Sequence, residues 1–129
     1  MIAQGAIKPL FLIAALYDGI LGFAFLLLPG ALFEYFGVTP PNHFGYVQFP
    51  AALLLVFGLM FLAIARDAAA NRNLIPYGMM LKVAYCGVVF GYWFTQGIPG
   101  MWKPFAVADL IFLALFARAY VALSPRRQG

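Results

Sequence analysis

Four long apolar runs, parted by short segments rich in Pro, Gly and polar residues, set the plan of this chain: residues 9–28, 45–65, 74–95 and 103–123. Each is about 20 residues long, the length a helix needs to cross roughly 30 Å of hydrocarbon. Each carries an early proline (Pro9, Pro50, Pro76 or Pro104), placed in the first turns, where a missing N–H does little damage. Strands of a membrane barrel would alternate over ~10 residues, and the runs show no such alternation. The predicted fold is all-α: an integral membrane four-helix bundle forming a single domain over residues 1–129.

Polar positions inside the runs are few, which makes them conspicuous. Asp18 falls in the first, Gln48 in the second, Lys82 with Tyr85 in the third, and Asp109 in the fourth. A charge at such depth costs about 2.5–3.5 kcal/mol on insertion scales unless it is paired, hydrated or neutralised. At 1.5 Å per residue, Asp18 and Lys82 each lie roughly 12–13 Å from the same end of their spans. They are level, and the sequence predicts an ion pair between them. Asp109 enters from the other side, roughly 9 Å below its helix start, and has no charged partner expected at its own depth. Gln48, about one turn into its span, is the nearest polar candidate for it. Tyr85 and Cys86, at i+3 and i+4 from Lys82, share its helix face. Asp18, Lys82, Asp109, Gln48 and Tyr85 are therefore the candidate intramembrane polar cluster. Tyr17, though adjacent to Asp18, is expected to point elsewhere. Two carboxylates against one ammonium leave an acid over. Such a cluster acts either as a static clamp fixing helix register or as a proton-carrying site.

Loop charge predicts orientation. Lys8, Arg66, Arg72, Arg118, Arg126 and Arg127 flank one side of the spans, and loop 29–44 contains no Lys or Arg. The positive-inside rule then puts both termini and the 66–73 loop in the cytoplasm. In a Gram-negative bacterium the chain would sit in the inner membrane, with the other loops facing the periplasm. Those outer segments are aromatic: Phe33, Tyr35, Phe36, Phe44 and Tyr46, then Tyr92, Trp93, Phe94 and Trp102. Rings at headgroup depth form an aromatic belt. Residues 30–37 suit a short interfacial helix with Glu34 toward water.

Composition narrows the classes further. The 129 residues are 65% hydrophobic and 9% charged, against about 45–50% and ~25% in soluble domains. The lipid bilayer is the solvent that resolves this excess. The net charge of +4 is explained by span-flanking basic residues, so no nucleic-acid partner is implied. The first apolar run is longer than a signal-peptide core and lacks a small-residue cleavage site, so a retained span is expected. Cys86 is the single cysteine, which rules out an internal disulfide or CxxC chemistry. His43 is the single histidine, so the chain offers no second imidazole for a zinc or haem site. No metal site and no catalytic residue is assigned, and no cofactor is named. Small residues mark close approach: Ala15, Gly19 and Gly22 on the first span, Gly87 and Gly91 on the third.

Size, four spans, a glycine-bearing first span (Gly19, Gly22) followed by Pro29-Gly30, and Phe49-Pro50 opening the second together resemble the DoxX-like small four-span bacterial membrane proteins. The resemblance implies a membrane subunit working beside a catalytic partner, in some members within quinone-coupled or thiol redox complexes. It carries over no site residue, and Cys86 alone performs no dithiol chemistry. Three functions are compatible with the sequence. One is an accessory or assembly subunit of a larger membrane complex, favoured by the short loops and expecting a membrane protein partner. Another is a homo-oligomeric proton-coupled carrier of a small solute. The third is a membrane enzyme acting on a lipid or isoprenoid, with Asp18 or Asp109 as acid. A non-enzymatic role is the expectation.

Overall fold

The computed structural model describes residues 4–123; the expected basic positions Arg126 and Arg127 lie outside them. Five helices follow one another: α1 (Ile7–Leu27), α2 (Pro29–Phe36), α3 (Gly45–Arg66), α4 (Ile75–Trp93) and α5 (Lys103–Ala122). α1, α3, α4 and α5 are long and apolar enough to cross a membrane, and among the described residues no strand forms. The chain is an all-α four-helix bundle and a small multi-pass membrane protein. α2 is a short helix where the sequence predicts one, closed by Gly37 in the left-handed region (φ 66°). That conformation carries no steric penalty for glycine.

The helices alternate in direction, so the start of α1, the end of α3, the start of α4 and the end of α5 share one end. Ile7, Ile64, Ile75 and Ala119 pack together there. Lys8, Arg66 and Arg118 are exposed around it, which makes this the basic end. Phe11, Phe61 and Phe116 fill its interior, with Phe11 and Phe116 stacked at 4.8 Å. At the opposite, aromatic end, Phe25, Phe33 and Met101 form a second core beneath Trp102. Phe25 stacks on Trp102 at 5.6 Å, and α2 supplies Phe33 as the plug.

Two helix pairs dominate the packing: α1 against α3, and α4 against α5. The first pair is close because of glycine. A Cβ on Gly22 would stand 2.7 Å from the Ala51 carbonyl oxygen, and one on Gly58 3.3 Å from that of Ala15. The small-residue strip of α1 is therefore the α3 contact. Gly87 and Gly91, by contrast, face open space, so the GxxxG of α4 packs nothing within the bundle.

The second pair is zipped by polar links at successive turns. Going up α4 and down α5, Lys82 meets Asp109. Cys86 Sγ donates to the Ala106 carbonyl at 3.4 Å, and Tyr85 Oη to the Trp102 carbonyl at 2.9 Å. Pro50 lies deeper than the first turn of α3. Its missing N–H forfeits one backbone bond, to the Tyr46 carbonyl, and the helix continues through it.

Candidate functional site

Asp18 projects from mid-α1, Lys82 from the first half of α4, and Asp109 from the second turn of α5. They converge on the axis of the bundle between the two apolar cores. Lys82 Nζ stands 3.0 and 3.2 Å from Asp18 Oδ1 and Oδ2 and 2.9 Å from Asp109 Oδ1. Three carboxylate oxygens thus lie within hydrogen-bond distance of one ammonium, two of them on Asp18. The side chain of Lys82 is 0% exposed, that of Asp18 1% and that of Asp109 10%.

Aromatic rings close the cluster. Lys82 Nζ lies 5.6 Å from the ring centroid of Tyr17 on α1, 5.7 Å from Phe61 on α3 and 5.2 Å from Phe112 on α5. These separations are within cation–π range, so each ring adds attraction as well as excluding water. Each of the other three spanning helices thus contributes a group to the environment of one lysine.

Three sequence expectations change here. Asp109 is not left without a charged partner: it shares Lys82 with Asp18. Helical rise alone hid this. The four-carbon stem of Lys82 carries its ammonium away from its own Cα, far enough to meet Asp109 as well as Asp18.

Gln48 does not reach the cluster. Its Nε2 donates to the Leu26 carbonyl at 3.0 Å, one of the carbonyls left open where α1 ends before Pro29. It caps a helix instead of answering Asp109. Tyr85 shares the Lys82 face, as its spacing predicts, but its hydroxyl is taken by Trp102 and it makes no bond to the charged groups.

Tyr17 was missed by the sequence reading. Residues i and i+1 on a helix are about 100° apart, yet a group at the centre of a bundle is reached from a wide arc. Tyr17 packs on Phe112 and Phe105 beside the ammonium. Its hydroxyl is buried without a hydrogen-bond partner among the described residues. The adjacency of a tyrosine to the buried aspartate was the only signal available.

Elsewhere the chemistry is sparse. His43 Nδ1 accepts a 2.9 Å bond from the Gly45 N–H in an exposed loop. Among the described residues no group of three or more His, Cys, Asp or Glu side chains is arranged to hold a metal ion. Arg72 Nε donates to the Tyr120 carbonyl at 3.0 Å, and its guanidinium lies 3.6 Å over the Tyr120 ring. This fastens the 66–73 connection to the end of α5. An apolar groove of about 390 Å³, lined by Pro76, Met79, Met80, Val83, Ala84 and Leu113, runs along the outside of α4 and α5. It is a groove in the membrane-facing surface, and the charged residues do not line it. No family model, curated protein or solved structure matches this chain.

Proposed function

We propose that this protein is an accessory or assembly subunit of a larger membrane complex, and that the charged cluster serves to lock its bundle. One observation carries the reading: Lys82 is fully buried, its ammonium held between Asp18 and Asp109 by contacts to three carboxylate oxygens. A charged centre held from two other helices and ringed by Tyr17, Phe61 and Phe112 is suited to fixing helix register, the best-attested use of buried polar groups.

The connections between spans are short, and the remaining surface is largely apolar side chains such as Leu16, Ile20, Leu59 and Val121. A protein built this way acts through its membrane-facing flanks. The DoxX-like resemblance in span layout points the same way, toward a subunit beside a catalytic partner. The distribution of Lys8, Arg66 and Arg118 supports cytoplasmic termini.

The test is native mass spectrometry of the tagged chain, expressed at its own level and extracted in polymer nanodiscs. The expected result is a stoichiometric complex with a larger membrane protein. A pure homo-oligomer that catalyses pH-dependent solute flux in liposomes would instead establish the carrier. A monomer retaining a lipid-like molecule in the bundle would point to the enzyme.

A further inference from the structure

The cluster holds two carboxylates and one ammonium, so with every group ionised it carries one net negative charge in the middle of the bundle. An uncompensated charge in such surroundings is far more costly than a neutral polar group. The two acids are not equivalent. Asp18 places both oxygens on Lys82 and is 1% exposed. Asp109 places only Oδ1 there. Its Oδ2 has no hydrogen-bond partner among the described residues, and its side chain keeps 10% exposure.

The other titratable groups facing this centre are Tyr17 on α1 and Tyr85 and Cys86 on α4. Tyr85 and Cys86 are tied to the Trp102 and Ala106 carbonyls, and α3 presents the Phe61 ring. None of them brings a second cation.

We propose that the Asp18–Lys82–Asp109 cluster is a binding site for a single proton, held on Oδ2 of Asp109. One O–H bond forms there with a proton taken from solution, and no other bond changes. Asp18 and Lys82 remain a charged pair, Asp109 becomes a neutral acid still accepting from Lys82 through Oδ1, and the net charge of the cluster is zero. A metal cation is the poorer occupant, because hard cations require a cage of oxygens and no such ligand group forms among the described residues. This goes beyond the subunit role, since a locking cluster is neutral or charged irrespective of what the protein assembles with.

Infrared difference spectroscopy of the folded protein in nanodiscs tests it directly. A protonated carboxylic acid has a C=O stretch well separated from carboxylate bands. Aspartate labelled with carbon-13 at the side-chain carboxyl shifts that stretch and excludes Glu34 and the C-terminus. The expected result at neutral pH is one labelled acid band per chain, shifted further in D2O, retained in Asp67→Asn and lost in Asp109→Asn; Asp18→Asn is expected to lose it as well, because Asp109 then becomes the ionised partner of Lys82. Absence of the band in the folded parent protein overturns the proposal, and no variant is needed for that reading. A band kept in Asp109→Asn overturns the assignment to Asp109. Absence of the band together with a sodium-dependent rise in melting temperature overturns the proton in favour of a metal ion.

Discussion

Lys82 and Asp18, 64 positions apart in sequence, are joined by two contacts of 3.0 and 3.2 Å across the diagonal of the bundle. α1 packs mainly on α3, and α4 on α5, so this pair ties one half of the molecule to the other. Breaking a buried pair by removing one partner costs about 3–5 kcal/mol, because the remaining charge is left uncompensated. Lys82→Met is therefore expected to be among the most destabilising single changes, lowering the melting temperature of the detergent-purified protein sharply. The combined variant Asp18→Asn, Lys82→Met, Asp109→Asn leaves no buried charge and is expected to recover much of the loss. A triple variant no more stable than Lys82→Met would show that the charges do more than balance one another.

Glycine at the α1–α3 contact makes a second, sharper prediction. At Gly22 an added Cβ meets a backbone oxygen, that of Ala51, at 2.7 Å, and backbone cannot swing away as a side chain can. Overpacking of this kind costs about 1–3 kcal/mol. Gly22→Ala is expected to fall in that range in equilibrium unfolding. Gly87→Ala, where a Cβ meets nothing within 4 Å, is expected to leave stability unchanged or to raise it by up to about 1 kcal/mol through lost unfolded-chain freedom. Equal effects at the two positions would refute the close α1–α3 approach.

Much of this was legible in the sequence, and the remainder fails for identifiable reasons. Span lengths, the short helix after Pro29, and the small-residue strip of α1 follow from periodicity and composition, because a helix in lipid must satisfy its own backbone. The positions of Asp18, Lys82 and Asp109 along their helices follow from helical rise. What rise does not give is reach. The Lys82 stem carries its charge several ångströms from its own Cα, enough to bring in an acid that appeared to be alone. Gln48 was misjudged because its competitor was a backbone group. A carbonyl freed at the end of α1 is invisible in a list of side chains, yet it is nearer to Gln48 than Asp109 is. Tyr17 was misjudged by a helical-wheel argument that suits a flat interface better than a bundle axis.

Tyr17 is itself testable. A buried hydroxyl without a partner costs about 1–3 kcal/mol in desolvation, while its ring contributes contacts to Phe105, Phe112 and the Lys82 ammonium. Tyr17→Phe keeps the ring and deletes the orphan group. The variant is expected to be at least as stable as the parent protein in thermal unfolding. A clear loss of stability would mean that the hydroxyl has a partner in the membrane, and a water bound at the cluster would be the first species to seek.

Orientation in the membrane is open to a labelling experiment for which this chain supplies its own low background. Cys86 is the single cysteine and is only 7% exposed, within the bundle, so an impermeant maleimide is expected not to react with the folded parent protein. Asn73 and Gln96 are both exposed and sit in connections at opposite ends, Asn73 before α4 and Gln96 after it. The basic end, with Lys8, Arg66 and Arg118, carries the excess of positive charge that cells retain in the cytoplasm. In intact cells, or in spheroplasts if there is an outer membrane, Gln96→Cys is expected to label from outside. Asn73→Cys is expected to label only after the membrane is opened. The reverse pattern would invert the topology. Labelling of both sites in intact cells would show that the chain is inserted in two orientations.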